Sequence, residues 1–321
     1  MPTINYSAVP AQLQQHLTRN PGFLQKTMID GFSAIAKDFT VRKYRDKMVY
    51  PTLAFTDAFQ SAKPLFSPVN NTVALGARIV QIQRADLDLP YSLDEVEQMA
   101  IQFEAMSDQY TGMDDLYRNP FPAMLINEIV TSQMAFLARN ASWKGLSNPL
   151  VGSINAADGL IRKIIVGSSA GGDIPASNVT AAPAIINETN IYAHIRAMML
   201  NIETTYPDLL GTELQVYLSP TLKRFYDENA RTLFPQSFGY GDSAKTVHYF
   251  DSAVFHPTLG LSGKETIVIT PKANLQAGFD HDADNYRFSI EEHVKSWDIS
   301  LRLGVSFDYA YGLNLFRNNK V

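Results

Sequence analysis

The sequence has no cysteine among its 321 residues, which excludes disulfide bonds and thiolate metal ligands. A reducing compartment is permitted but not required. The six histidines show no H-x-x-x-H or H-E-x-x-H spacing, which predicts no catalytic metal site. No apolar run reaches the ~18 residues of a membrane-spanning helix. The N-terminal MPTINYSAVPAQLQQH lacks the pattern of a secretory signal. We expect no cofactor and no membrane contact.

Basic residues are in the minority, since 27 Lys and Arg stand against 32 Asp and Glu, giving a net charge of −5. Such a chain is not built as a whole to bind nucleic acid. The segment from Asp86 to Asp115 carries nine acids and no Lys or Arg, whereas the segment from Lys37 to Lys47 carries five bases and two acids. Solvated faces would explain both segments. The alternative is that they attract each other, within one chain or between chains.

The chain does have enough apolar residues for a substantial core, at 45% hydrophobic and 11% aromatic. Its first fifty residues are poor in apolar side chains and resemble an arm. Pro51 then opens a strand, and TVALGARIVQIQR supplies the return strand of a long hairpin whose tip contains Pro64 and Pro68. A two-stranded hairpin is marginal alone in water, so it must lie on something else.

Helices and strands alternate along the rest of the chain. Ser92 and Glu95 form a capping box, and a long helix with an apolar stripe follows Pro122. A strand, LQVYLSP, leads directly into the helix TLKRFYDENAR. The final segment from Trp297 to Tyr309 alternates apolar and polar residues, as a half-buried antiparallel strand does.

A possible calcium loop occurs in GFDHDADNYRFSIEEH, where Asp280, Asp282 and Asp284 precede Glu291 at nearly the spacing of an EF-hand. The sixth position needs glycine but holds Asn285, and both flanking segments read as strands rather than helices. Acidic residues also favour turns, so we interpret this stretch as the turn of a hairpin.

Two further motifs have catalytic counterparts. GSSAG matches the nucleophile elbow with Ser169 as the serine, but the residues before it have helical spacing where a strand is required. GLSGKET resembles a phosphate loop but has Thr258 where the first glycine belongs. We interpret the first as a small-residue loop and the second as a hairpin turn, and we expect no enzyme.

The order of these segments resembles the major capsid protein of tailed bacteriophages, with the Hong Kong 97-type fold. The similarity rests on the basic arm, the hairpin, the capped acidic helix and the long helix. It continues through LQVYLSPTLKRFYDENA, ITPKANLQAGFD and the long terminal strand.

The resemblance implies an α+β fold with four parts. Residues 1–48 would be the N-terminal arm and 49–90 the extended loop. Residues 91–149 and 263–321 would form the peripheral domain, with a spine helix at 122–140, and 150–262 the axial domain. A long N-terminal scaffolding segment is lacking, so we expect either that a separate scaffold protein directs assembly or that the short arm suffices for it.

The resemblance also implies self-assembly into hexamers and pentamers of an icosahedral shell around double-stranded DNA, bound without sequence specificity. Scaffold, portal and decoration proteins would be partners, and assembly would occur in the host bacterial cytoplasm. The expected contacts between subunits are made by the extended loop, through Phe59, Lys63, Leu65 and Phe66. Charge pairing is expected between Arg42, Lys43 and Arg45 on one side and Glu95 and Glu97 on the other.

Two other functions stay open from the sequence. An encapsulin-like nanocompartment would share the fold but enclose enzymes in place of DNA. A serine hydrolase would use Ser169.

Overall fold

The computed structural model describes residues 35–55, 73–92, 94–95, 98, 121–235, 243–280, 288–293 and 296–320. Contacts divide the chain into two compact units. Unit 1 contains the described residues of segments 1–43, 83–162 and 277–307, and unit 2 contains those of 44–82, 163–276 and 308–321. The assignment of arm, loop, peripheral and axial parts uses other boundaries and stays a prediction.

The described part of the chain forms both strands and helices. The strands are β1 Thr40–Lys43, β2 Lys47–Phe55, β3 Val73–Gln81, β4 Gln83–Ser92, β5 Val179–Thr180, β6 Leu214–Leu218, β7 Thr246–Val247, β8 Phe250–Pro257, β9 Val268–Thr270, β10 Leu275–Phe279, β11 Phe288–Glu292, β12 Ser296–Tyr309 and β13 Phe316–Asn318. The main helices are α1 Phe121–Phe136, α2 Leu160–Gly167, α3 Ile191–Thr205 and α4 Pro220–Leu233. Among the helices described, none is both long and apolar enough to cross a membrane.

Unit 1 is built around the long strand β12. The strand order is β1-β10-β12-β11, and β4 also pairs with β12. The pairing with β4 is antiparallel and extends from Ser296 opposite Ser92 to Val305 opposite Gln83. The antiparallel strand predicted at the C-terminal end is therefore confirmed.

The burial of β12 differs from the prediction in its last third. Leu301 and Leu303 are buried while Arg302 between them is exposed, as a half-buried strand requires. From Gly304 onward the alternation ends, because Ser306 and Asp308 are buried as well. A polar residue can occupy a buried strand position when its side chain has bonding partners, so alternation alone did not reveal this second covered face.

Helix α1 continues past its last regular residue. A π-helical turn, Leu137–Ala141, follows it directly, and Ser142–Lys144 completes the helical segment before Gly145. Gly145 allows a close approach, since a Cβ there would lie 2.2 Å from the backbone oxygen of Ala157. The predicted long helix ending near Trp143 is present.

Residues 35–39, which directly precede β1, contribute to the core of unit 1. Ile35 and Phe39 are each 1% exposed. The ring of Phe39 lies 5.6 Å from that of Trp143 and 5.7 Å from that of Phe307, between centroids. Aromatic rings at such distances contribute beyond their buried area. Residues 35–43 thus have a fixed position within one chain.

Unit 2 contains a six-stranded sheet with the order β5-β13-β9-β6-β8-β7. The central strand β6 pairs parallel with β8 and antiparallel with β9. The predicted hairpin turn at GLSGKET is therefore wrong, because β8 and β9 lie on opposite sides of β6. The segment between them is a crossover that begins with the short 3-10 helix Leu259–Leu261.

Helices α3 and α4 share the core cluster of unit 2 with this sheet. The apolar stripe predicted for α3 is buried, with Ile191, Ile195, Met198, Met199 and Ile202 all at most 1% exposed. Helix α4 begins as the sequence predicted. Its N-cap Ser219 accepts a hydrogen bond from the Leu222 amide, and Pro220 occupies the first helical position.

The second sheet in unit 2 is the hairpin of β2 and β3, which pair antiparallel from Lys47 opposite Gln81 to Phe55 opposite Val73. The turn that precedes it contains Asp46 at a φ of 59°. Asp and Asn tolerate this left-handed region better than other non-glycine residues. The hairpin predicted from Pro51 and its return strand is confirmed in these described residues.

Candidate assembly interface

The outer face of the hairpin displays apolar side chains to solvent. Val49 lies directly opposite Ile79, and these residues are 49% and 60% exposed. The next pair on the same face, Pro51 and Ala77, is also exposed. A contiguous apolar patch on a surface is typical of a site that contacts another molecule. We call these four residues the outer face of the hairpin.

The inner face of the hairpin packs within unit 2. Tyr50 and Val80 are buried and form a small cluster with Ala310. The Tyr50 hydroxyl donates to Oε1 of Gln276 at 3.1 Å, and its ring meets that of Tyr311 edge-on at 6.5 Å. Alternation along the strands therefore separates a packed face from an exposed one.

A charged network lies on the same inner face and centres on Arg78 of β3. Its Nε and Nη2 donate to Oδ1 of Asp308 at 3.2 and 2.6 Å, and its Nη1 donates to Oδ2 of Asp173 at 2.8 Å. The guanidinium carbon lies 3.6 Å from the centroid of the Tyr309 ring. The Tyr309 hydroxyl donates to Oδ1 of Asp173 at 2.6 Å. We call these four residues the Arg78 network.

No pattern in the sequence predicted this network. An arginine in the apolar strand VALGARIVQ and an aspartate near the end of β12 were the available signals. Both occur at positions where alternation also allows a solvated residue, so neither pattern indicates that the side chains are joined.

The predicted contact residues of the extended loop, Phe59, Lys63, Leu65 and Phe66, lie outside the described residues. Their role in contacts between subunits stays a prediction.

The basic residues predicted to pair between subunits lie around β1. Arg42, Lys43 and Arg45 are all exposed. The Lys43 ammonium lies 5.4 Å from the ring centroid of Phe279, within the range of a cation–π contact. The structure thus gives a basic surface at the start of the described chain.

On the acidic side, Glu95 completes the predicted capping box. Its carboxylate accepts from the Ser92 amide at 2.8 Å and the Ser92 hydroxyl at 2.9 Å, while the Glu95 amide donates back to that hydroxyl at 3.3 Å. The bond from the Ser92 amide, then that from its hydroxyl, lowers the pKa of Glu95. Glu97 lies outside the described residues. Pairing of these acids with the bases stays a prediction.

The GSSAG motif has a structural role in this fold. Helix α2 ends at Gly167, so a helix precedes the motif where the nucleophile elbow requires a strand. The Ser169 hydroxyl donates to the carbonyl of Val166 at 2.6 Å. Gly167 leaves room for a neighbour, because a Cβ there would lie 1.8 Å from the Tyr309 hydroxyl oxygen. The motif is a tight turn after a helix, as the small-residue interpretation predicted.

The flanks of the calcium-like stretch are strands, β10 before it and β11 after it. In the described part of the chain both strands pair with β12 and not with each other, so the interpretation of the stretch as the turn of a hairpin is wrong. Glu291 is on β11, opposite Asp298 of β12. Asp280 is buried, and its amide donates to the Gly304 carbonyl at 3.1 Å. Asp282 and Asp284 lie outside the described residues. Of the His, Asp and Glu residues that the structure describes, no three are grouped so that they could hold a metal ion.

No protein-family model and no curated protein matches this sequence. Solved structures do match it. A chain of the procapsid of satellite phage P4, a structure that includes the size determination (Sid) protein, aligns at 11% identity with a TM-score of 0.57. The alignment covers 92% of this chain and 89% of that chain.

Two further structures align at lower scores. A chain of Gordonia phage Cozz covers 89% of this chain and 85% of its own length, with 11% identity and a TM-score of 0.49. A virus-like particle from Pyrococcus furiosus covers 92% of this chain and 97% of its own length, with 9% identity and a TM-score of 0.47. The match to the P4 procapsid chain confirms the α+β fold predicted from the sequence: the chain has the Hong Kong 97-type fold of phage capsid subunits.

Proposed function

We propose that this chain is a major capsid protein, the structural subunit of an icosahedral shell that encloses the double-stranded DNA of a tailed phage. The observation that carries the proposal is the shared fold with the P4 procapsid chain over 92% of the sequence. A capsid subunit performs its function through contacts with copies of itself and needs no catalytic residue. We therefore place the functional site on surfaces that a neighbouring copy would cover.

The outer face of the hairpin supports this proposal on physical grounds. Val49 and Ile79 are each about half exposed, so covering them would contribute roughly 1 kcal/mol per side chain. That is too little to hold one pair of copies together, because association has a large entropic cost. In a closed symmetric shell the same contact is repeated by every copy, which makes weak contacts sufficient.

The four parts expected from the sequence belong to this proposal. The hairpin would be the base of the extended loop that lies over a neighbour, and α1 would be the spine helix of the peripheral domain. Residues 150–262, which include α3 and α4, would be the axial domain at the symmetry axis of hexamers and pentamers. Scaffold, portal and decoration proteins would be the other partners of the chain. After assembly in the host cytoplasm, the chain would be located in the virion.

The charge of the chain is consistent with a container for DNA. A net charge of −5 argues against a lining that binds every phosphate. The enclosed DNA would then remain mobile, and recognition of its sequence would not be required.

The test of the outer face is a pair of substitutions that keep the β-branched shape. We expect Val49→Thr with Ile79→Thr to retain the folded subunit, because Thr suits strands, but to lower the yield of closed shells in negative-stain microscopy. Gln81→Thr is the matched control, since it lies on the same strand and face but removes no apolar side chain. Equal shell yields from the unmodified chain, the double variant and the Gln81→Thr control would contradict the role of the outer face.

The contents of purified particles separate the two container functions. DNA inside the shells supports the capsid proposal, whereas a cargo enzyme without DNA would favour a nanocompartment.

A further inference from the structure

The Arg78 network joins three separate segments of unit 2. Arg78 belongs to β3 of the hairpin, Asp308 and Tyr309 end β12, and Asp173 follows the turn after α2. The Asp308 side chain is 5% exposed and that of Arg78 17%, so their contact is largely removed from water, while Asp173 is 39% exposed. The network therefore connects the hairpin to two parts of unit 2 that are far from it in sequence.

Glycine at two positions allows these groups to come together. A Cβ on Gly167 would lie 1.8 Å from the Tyr309 hydroxyl oxygen and 2.9 Å from Oδ1 of Asp173. A Cβ on Gly312 would lie 2.4 Å from the backbone oxygen of Asp173. Real Cβ atoms essentially never lie within 3 Å of an atom of a non-adjacent residue, so a side chain at Gly312 would displace the Asp173 backbone, and one at Gly167 would displace the Tyr309 hydroxyl.

Burial and charge attraction have opposite effects on the ionised groups of the network. Burial raises the pKa of the Asp308 carboxyl even though Arg78 opposes the change. Burial alone would lower the pKa of Arg78, but attraction to Asp308 and its other neighbours raises it overall. The attraction within a buried ion pair is largely offset by the cost of its desolvation, so such a pair adds little net stability. The planar guanidinium, held at two carboxylates and stacked on a ring, fixes direction as well as distance.

We propose that Arg78 is the positioning residue of the hairpin, holding β2 and β3 in one direction so that the outer face is presented ready for a neighbouring copy. The benefit for assembly rests on the proposed function, whereas the role of Arg78 in fixing the direction of the hairpin does not. A hairpin held before assembly loses less conformational freedom on docking than one that must first be ordered. Without the Arg78 contacts, the packing of Tyr50 and Val80 against Ala310 would keep the hairpin attached to the rest of unit 2 but would not fix its direction.

The test uses Arg78→Met combined with Asp308→Asn, which removes the charges together and leaves no buried carboxylate unpaired. Hydrogen exchange is measured on the soluble subunit. We expect amides of β2 and β3 to exchange about 10-fold faster than in the unmodified chain, while those of β6 are unchanged. Arg302→Met with Asp86→Asn is the matched control, because it removes an exposed ion pair from unit 1. Unchanged exchange in the hairpin would overturn the proposal.

Two milder variants keep the test decisive if the double variant does not fold. Tyr309→Phe removes only the hydroxyl bond to Asp173, and we expect a smaller acceleration confined to the hairpin. Arg78→Lys keeps the charge but not the planar fork, so its exchange should also exceed that of the unmodified chain. If Arg78→Lys exchanged like the unmodified chain, the geometric role would be wrong.

Shell formation provides the second readout. Among folded variants, those with a faster-exchanging hairpin should give fewer closed shells than the Arg302 and Asp86 control. If the unmodified chain formed no shells, the proposed function would fail, whereas the exchange experiment would still decide the role of Arg78. Normal shell yield from a variant with a loosened hairpin would contradict the link between direction and assembly.

Discussion

The indole Nε1 of Trp143 donates a hydrogen bond of 2.8 Å to Oδ2 of Asp38. The bond joins the last turn of the long helical segment to the residues just before β1, which are 105 positions away in sequence. Phe39, next to Asp38, lies against the Trp143 ring. The start of the described chain is therefore held in unit 1 by a polar and an aromatic contact at the same tryptophan.

Removing the Phe39 ring should destabilise unit 1. Phe39→Ala would leave a cavity between Trp143 and Phe307, and such changes cost about 3–5 kcal/mol. Urea unfolding of the soluble subunit, followed by tryptophan fluorescence, measures the loss. Leu150→Ala is the control: Leu150 is 70% exposed, so we expect a change within about 0.5 kcal/mol. Similar losses from both variants would show that Phe39 is not a core residue.

A side chain at Gly167 should displace Tyr309. We expect Gly167→Ala to cost about 1–3 kcal/mol, the usual effect of forcing extra atoms into a packed site. Gly211→Ala is the matched control, since a Cβ there meets nothing within 4 Å. Thermal unfolding of the two variants side by side tests this expectation. A Gly167→Ala protein as stable as the control would mean that Tyr309 is not held against this glycine.

Acid should weaken unit 2 through His194. This residue is 5% exposed, and within the described part of the chain its Nε2 has no hydrogen-bond partner. Burial lowers the pKa of His194, so the unfolded chain takes up a proton at a pH where the folded chain does not. Stability should therefore fall as pH decreases below the unfolded value of about 6.5, by at most ~1.4 kcal/mol per pH unit, until the folded pKa is passed.

The variant His194→Leu should remove this part of the pH dependence when urea unfolding is compared between about pH 7 and pH 5. Met198→Leu, a change of similar volume on the same helix, should keep the original slope. An identical slope in both variants would assign the acid sensitivity to other groups.

Reversing the basic surface should impair assembly. Changing Arg42, Lys43 and Arg45 to glutamate removes the positive partner expected for the acidic segment, so shells should form less readily. The defect should be largest at low ionic strength, where exposed charges interact over the longest distance. Light scattering during assembly at low and high salt measures this effect. Equal assembly of the reversed and unmodified chains at low salt would exclude the charge pairing.

Local signals in the sequence predicted much of the fold. Ser219 and Pro220 define the start of α4, and the alternation from Trp297 to Tyr309 defines β12, because caps and side-chain period depend on nearby residues alone. The crossover after β8 was missed because a glycine-containing loop between two strands does not specify which strand each one pairs with. That choice depends on β6, more than thirty positions earlier in the chain.

The candidate site was less accessible to sequence reasoning. The exposed pair of Val49 and Ile79 depends on the register of β2 and β3, and an error of one residue would exchange the two faces. The Arg78 network depends on residues separated by 95 and 230 positions. No spacing rule joins residues at such separations, so their contact became visible only in the folded chain.

The central claim is that many copies of this chain build a closed container. Negative-stain electron microscopy of the purified full-length protein over a range of concentrations tests it most directly. We predict closed shells, together with the hexamers or pentamers from which they form. A protein that stays monomeric at every concentration and forms no closed particle would contradict the account.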